Sequence, residues 1–279
     1  MISEKELFDL ILQGFRVISL AIAGVLLVVG SPYGSQTSYN GRLAINGQVA
    51  WMLMELVSPA MLIYAYSART MPMPLAIHTT ERPHDPSTSL LSTSNVLVAL
   101  WLVHYAHRAV IYPLRQTSRK RMHIGIMLSA VIFNSVNGYL NGRWLSVFAP
   151  TEYQHSFISF AAYRYVRVYL GLALFAAGMY GNIYHDNILN RLRHGGSGKG
   201  KYAVPYGGLF ALVSCPHFFC EIVEWLGFAI LSDSPAAWTF LLNVVCNLLP
   251  RAHFIHKWYM ATFTSNYPQA RKAVIPYFL

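Results

Sequence analysis

Long apolar runs, broken by short polar turns, dominate this chain. A bilayer core takes about 20 mostly apolar helical residues. Seven stretches have that character, near 8–30, 48–67, 91–114, 123–149, 157–185, 207–231 and 235–255. Several are interrupted by polar residues at helical spacing. Between them lie segments with turn chemistry: "GSPYGSQTSYNG", "TMPMPLAIHTTERPHDPSTS", "RQTSRKRMH", "RLRHGGSGKGKYAVPYGG" and "LSDSPAA". The pattern predicts an all-α integral membrane protein with about seven transmembrane helices. The start, "MISEKELFDL", is acidic, and no small-residue cleavage site follows it cleanly. The first span is therefore expected to be retained rather than removed as a signal.

Composition agrees. The chain is 54% hydrophobic and 11% charged, against about 25% charge in a soluble domain. Its formal net charge of +10 could serve nucleic acid, an anionic membrane surface or a phosphorylated ligand. The placement of the charges decides. With seven spans, one side receives Glu4, Lys5, Glu6 and Asp9, then Glu81, Arg82 and Asp85, then Glu152, then Asp233. The other receives Arg115, Arg119, Lys120 and Arg121, then Arg191, Arg193, Lys199 and Lys201, then Lys257, Arg271 and Lys272. That is a strong positive-inside bias, and it puts the C-terminus in the cytosol. Topology accounts for the basic charge, so no nucleic-acid partner is expected. Cys215, Cys220 and Cys246 all lie inside apolar runs, which argues against a disulfide framework. None has zinc spacing, and no metal is expected.

Ionisable groups at membrane depth cost about 2.5–3.5 kcal/mol on insertion scales and usually face a cavity or a partner. This chain carries many. The second run holds Glu55. The third holds "HYAHR", with His104, Tyr105, His107 and Arg108. The fourth puts Asn134, Asn137 and Asn141 on one helical face. The fifth holds Arg164, Arg167, Asn182 and Asp186. In the sixth, "VSCPHFFCEIVEW" sets His217, Glu221 and Glu224 among apolar neighbours. Each alone has a packing explanation: the asparagines as interhelical glue, Glu55 paired with a buried arginine, Arg164 and Arg167 snorkelling. Together they outnumber what packing needs.

A polar cavity open to the cytosol accounts for them. Arg193, Arg251 and Arg271 suit phosphate, which guanidinium binds bidentately. Acids and amides below them suit ribose hydroxyls and a carboxamide. That is the set a dinucleotide needs. No GxGxxG follows a strand, so a Rossmann site is excluded, and no G-x-S-x-G, HExxH or P-loop occurs.

These residues carry a resemblance. "SPYG", "MEL", "HYAHR", "FNSVNGYLNGRWL", "GNIYHDNILNRLR", "YAVPYGGLF", "VSCPHFFCEIVEWLGFA" and the tail "RAHFIHKWYMATFTSNYPQARKAVIPYFL" follow in order. The chain resembles the steroid 5-alpha-reductase family of integral-membrane, NADPH-dependent reductases, over most of its length from about Ser31. The resemblance implies hydride transfer from NADPH to the β carbon of an enone, most simply a 3-oxo-Δ4 steroid. It implies that Glu55 and Tyr105 polarise the carbonyl. A developing enolate needs hydrogen-bond donors at its oxygen. A tyrosine hydroxyl supplies one, and a carboxyl in apolar surroundings keeps its proton and supplies another. The cofactor residues it implies are Tyr33, Arg108, Asn182, Asp186, Arg193, Tyr202, His217, Glu221 and Arg251, with Arg271 also matching. The expected organisation is one transmembrane reductase domain over 1–279, with the substrate side near 1–120 and the NADPH part near 121–279. The resemblance further implies a monomer in contact with membrane lipid, in the endoplasmic reticulum of a eukaryotic source.

Three positions depart from the family's pattern. His217 stands where members commonly have Asn, Met54 where animal members often have Gln, and Ile255 where they often have His. Met54 weakens the transfer of animal steroid specificity. Reduction of a polyprenal or a long-chain enoyl thioester is the alternative within the superfamily. A membrane methyltransferase and a non-enzymatic transporter stand further off.

Overall fold

The computed structural model describes residues 2–30, 41–68, 92–116, 120–149, 161–195 and 202–279. Seven helices carry the described chain: α1 (Glu4–Val29), α2 (Gly47–Ser67), α3 (Thr93–Tyr105), α4 (Ile124–Arg143), α5 (Ala161–Gly195), α6 (Pro216–Ser232) and α7 (Pro235–Phe263). Their starts follow capping chemistry. Ser3 and Glu6 form a reciprocal capping box ahead of α1. Asn46 accepts from the backbone of Gln48 and Val49 at α2, and Ser92 accepts from Asn95 at α3. Pro216 and Pro235 open α6 and α7 where a missing N–H costs nothing. Two helices change pitch: α3 passes into a π-helical stretch at Ala106–Ile111, and α4 into another at Trp144–Phe148. Such stretches are often found at functional sites.

Among the described residues, five helical segments are long and apolar enough to cross a membrane: Glu4–Val28, Gly47–Ser67, Thr93–Leu114, Ile124–Phe148 and Tyr165–Arg193. The protein is thus an all-α integral membrane protein. The pattern predicts about seven spans; the two remaining apolar runs are built differently. The apolar run at 207–231 is not all helix: Gly207 and Gly208 have φ of +102° and +54°, and a single 3-10 turn at Gly208–Ala211 precedes α6. That leaves α6 only 17 residues. The 29-residue α7 is interrupted by Asn243, Asn247 and Arg251.

The chain divides into two compact units: Met1–Ile18, Tyr33–Val166 and Ser232–Phe240 in the first; Ser19–Pro32, Arg167–Leu231 and Leu241–Leu279 in the second. In the first unit α2 packs on α4. Gly138 and Gly142, one turn apart, face the backbone at Ser58 and Leu62 so closely that a Cβ at either would collide with a carbonyl oxygen. Small residues at this spacing let membrane helices approach closely. Strands β1 (Ala44–Ile45) and β2 (Met122–His123) pair antiparallel, Ala44 opposite His123 and Ile45 opposite Met122. They cover a small core of Ala50, Trp51, Met54 and Met122. Elsewhere in this unit the buried Arg143 is paired with the buried Glu4, and its Nη1 donates to Ala68 O at 2.6 Å.

In the second unit the tail after α7 is fixed by the backbone. Val213 bridges Lys272 in parallel. Ser214 N donates to Lys272 O at 2.8 Å, Lys272 N to Leu212 O at 2.9 Å and Cys215 N to Ala273 O at 3.0 Å. The segment leading into α6 and the tail therefore form one structure, with Arg271 buried beneath it.

Candidate active site

In the first unit, one face of α2 carries Gln48, Trp51 and Glu55, spaced by three and four residues. Gln48 Nε2 donates to Pro113 O at 2.8 Å. Trp51 Nε1 donates to Arg108 O at 3.1 Å. As α2 advances, its partner on α3 retreats. Glu55, half-buried, lies one turn further along the same face of α2, and continuing this antiparallel spacing would bring it toward the turn that holds His104 and Tyr105. Tyr105 is buried, its ring centroid 5.5 Å from Trp101 and 5.0 Å from His104. Arg108 lies over Trp51 at 5.0 Å and Tyr112 at 5.2 Å, contacts that hold a guanidinium by its face.

Two of the three asparagines on the α4 face donate to protein partners, while the Nδ2 of the third, Asn137, is buried without a hydrogen-bond partner among the described residues. Asn134 Nδ2 donates to Met54 O at 2.7 Å, next to Glu55. Asn141 Nδ2 donates to Asn137 O and Oδ1, both at 3.1 Å. Asn134 thus fastens α4 to the helix that carries the acid.

In the second unit, Asn182 Nδ2 donates to His217 O at 2.9 Å and lies 3.4 Å from Glu221 Oε2. The i, i+4 pairs on α5 and α6 meet here. Arg251 is adjacent: its guanidinium lies 5.0 Å from the Phe218 ring, and its Nη1 donates to Asn247 Oδ1 at 3.3 Å. Asp186 is buried one turn along α5. Glu221 is half-buried whereas Glu224 is fully buried, so the two acids of "VSCPHFFCEIVEW" have different surroundings. Arg193 is exposed at the end of α5. Tyr202 stands edge-on to Trp258 at 4.9 Å. Tyr33 lies outside the described residues.

Arg271 lies between two aromatic rings, 4.9 Å from Tyr206 and 5.2 Å from Tyr267. It is 3% exposed, and among the described residues its Nε and Nη1 have no hydrogen-bond partner. Leaving guanidinium N–H groups unmatched in a buried place is costly. A phosphate oxygen would satisfy them. Burial pushes the nearby Tyr259 phenol up, and the Arg193 and Arg271 charges oppose that shift. The donor set therefore fits a phosphorylated ligand, and the Asn182–Glu221 pair fits hydroxyl or amide groups.

Three features escaped the sequence reading. Ser214 Oγ sits 2.6 Å from both His256 Nδ1 and Tyr267 OH and donates to Lys272 O at 3.1 Å. This hub fixes one of the two rings against Arg271. On the other side, His185 Nδ1 is 2.6 Å from Gly181 O, and its Nε2 accepts from Leu209 N at 3.0 Å. That latches the glycine turn beside Tyr206. The third is Arg16 inside α1, legible in the sequence as one arginine in an apolar run. Neither latch has a local signal, because each joins residues 24 or more positions apart.

A family described as 3-oxo-5-alpha-steroid 4-dehydrogenase matches residues 120–279. The protein is similar to the following relatives over nearly the whole length of both chains. It is 34% identical to steroid 5-alpha-reductase DET2 of Arabidopsis thaliana over 98% of this chain and 99% of that one. It is 33% identical to 3-oxo-5-alpha-steroid 4-dehydrogenase 1 of Bos taurus over 99% of this chain and 98% of that one.

Proposed function

The chain belongs to the 3-oxo-5-alpha-steroid 4-dehydrogenase family, and on that premise we propose that it reduces the carbon–carbon double bond of a 3-oxo-Δ4 steroid with NADPH. Its class, an oxidoreductase acting on CH–CH groups, follows from the family. NADPH, when bound, supplies hydride to the β carbon, and a proton at the α carbon completes the reduction. The chain's part is binding and polarisation. Glu55 and Tyr105 donate hydrogen bonds to the substrate's carbonyl oxygen and stabilise the charge that develops there. Arg193, Arg251 and Arg271 hold phosphate. Asn182, Asp186, His217 and Glu221 serve the ribose and carboxamide, with Tyr33, Arg108 and Tyr202 completing the cofactor set.

The observation that supports this reading best is the register of α2 on α3. Two side-chain-to-backbone hydrogen bonds pair the start of α2 with the segment after Tyr105, a register whose continuation would let Glu55 and Tyr105 serve one oxygen. The residence proposed is the endoplasmic reticulum membrane, as a monomer.

The test is NADPH oxidation by the detergent-purified protein with a 3-oxo-Δ4 steroid, a polyprenal and a long-chain enoyl thioester in parallel. Oxidation with the steroid is expected. Oxidation with the polyprenal or thioester alone would move the chain to that reaction. No saturable NADPH binding by folded protein would end the reductase reading.

A further inference from the structure

We propose that Arg16 is a second substrate-recognition point, donating hydrogen bonds to an oxygen substituent at the end of the steroid remote from the enone. This rests on the reduction reading above. Arg16 lies 12 residues after Glu4 and 13 before Val29 in α1. At a rise of 1.5 Å per residue it is about 18–20 Å from either end of the helix. In a hydrocarbon core about 30 Å thick it sits near the midplane, and an arginine side chain cannot reach a headgroup layer from there. Snorkelling does not explain it.

Among the described residues Arg16 has one hydrogen bond and no ion pair. Its Nε donates to Thr239 Oγ1 at 2.8 Å. The Thr239 hydroxyl in turn donates to Pro235 O at 2.7 Å. That hydroxyl hydrogen is already used, so Thr239 can only accept from Arg16, and the guanidinium is held in one orientation. Its two Nη groups have no acceptor among the described residues. A hydroxyl supplies no counter-charge, and a cation at this depth is costly. Fastening α1 to α7 does not require it either. Ser19, one turn on, bonds Asn243 with neutral groups.

The surroundings of Arg16 identify the ligand. Thr239 precedes Phe240, whose ring is 5.3 Å from Trp101, itself 5.5 Å from Tyr105. The Phe15 ring lies 5.0 Å from Phe133, tilted against it, and the next residue, Asn134, bonds the carbonyl of Met54, which precedes Glu55. Aromatic rings therefore separate two polar points within one unit: Glu55 and Tyr105 at one, Arg16 at the other. A rigid apolar skeleton with an enone at one end and a hydrogen-bond acceptor at the other matches that arrangement.

The experiment compares two 3-oxo-Δ4 steroids, one with a side-chain ketone and one with a hydrocarbon side chain, in wild type, Arg16→Leu and Arg16→Lys. Arg16→Leu is expected to raise KM for the ketone about tenfold. KM for the hydrocarbon steroid and kcat for both should stay within about twofold of wild type. Arg16→Lys should recover part of the loss. NADPH affinity reports that each variant is folded. If Arg16→Leu does not fold, Thr239→Val, which removes only the orienting acceptor, should raise the ketone KM selectively. Equal changes for both steroids, or none, overturn the proposal. A wild type that reduces neither steroid overturns the reduction reading, and this inference with it, before any variant is considered.

Discussion

Trp51 and Arg108 hold each other twice: the indole Nε1 donates to the Arg108 carbonyl at 3.1 Å, and the Arg108 guanidinium lies over the indole ring at 5.0 Å. The bonded carbonyl belongs to the π-helical stretch that directly follows Tyr105. The contact therefore limits how far α2 can slide along the segment that follows Tyr105.

From that register, Glu55→Gln and Tyr105→Phe should each lower turnover of a 3-oxo-Δ4 steroid by about 10²–10³-fold, the usual cost of removing one donor from a developing oxyanion. NADPH affinity should stay within about twofold. Steady-state rates beside an NADPH binding titration check both. Loss of NADPH binding in either variant would contradict the assigned roles.

Asn182→Ala and Glu221→Ala remove the two sides of the contact between α5 and α6, and Arg271→Ala removes the buried cation between Tyr206 and Tyr267. Each should weaken NADPH binding about tenfold or more. Turnover at saturating NADPH should fall far less than in Glu55→Gln. A dissociation constant unchanged in all three would remove the second unit from the cofactor site.

Glu4→Gln leaves Arg143 buried without its counter-charge. Breaking a buried pair from one side costs about 3–5 kcal/mol, whereas replacing both partners by apolar groups costs little. Thermal unfolding in detergent should show a large drop in Tm for Glu4→Gln and a smaller one for the Glu4→Leu, Arg143→Met double variant. Equal drops would mean that the pair is not what holds this end of α1.

His256 is held below the ordinary histidine value of 6.5, first by burial and then by the His253 and Lys272 charges. Tyr267 and Ser214 face it from the tail and from the segment before α6. A histidine whose folded pKa is depressed contributes fully above 6.5, where both states are neutral. As pH falls below 6.5 the unfolded chain takes up the proton first, so stability drops until the folded pKa is passed. Wild type should lose Tm between pH 7 and pH 5. His256→Gln, which cannot titrate, should lose less over the same range. Parallel curves would exclude His256 as a source of the acid sensitivity.

The sequence by itself determined the membrane character, the all-α class and which acids and amides share a helix face. These depend on local quantities: runs of about 20 apolar residues, charge on alternating loops, acids and amides one helical turn apart. It could not show that the run at 207–231 spends its start on a glycine turn, because the neighbours that leave no room for a Cβ at Gly208 are Tyr184 and His185, more than 20 positions away. Nor could it separate the asparagines that fasten helices from the one that meets Glu221, since Asn134 and Asn182 look alike until their partners 80 and 39 residues away are known. The tertiary structure decided those pairings, the aromatic rings against Arg271 and the Thr239 hydroxyl bonded by Arg16. Each depends on the register of helices distant in sequence, which is fixed by interdigitating side chains and not by any one segment's propensity.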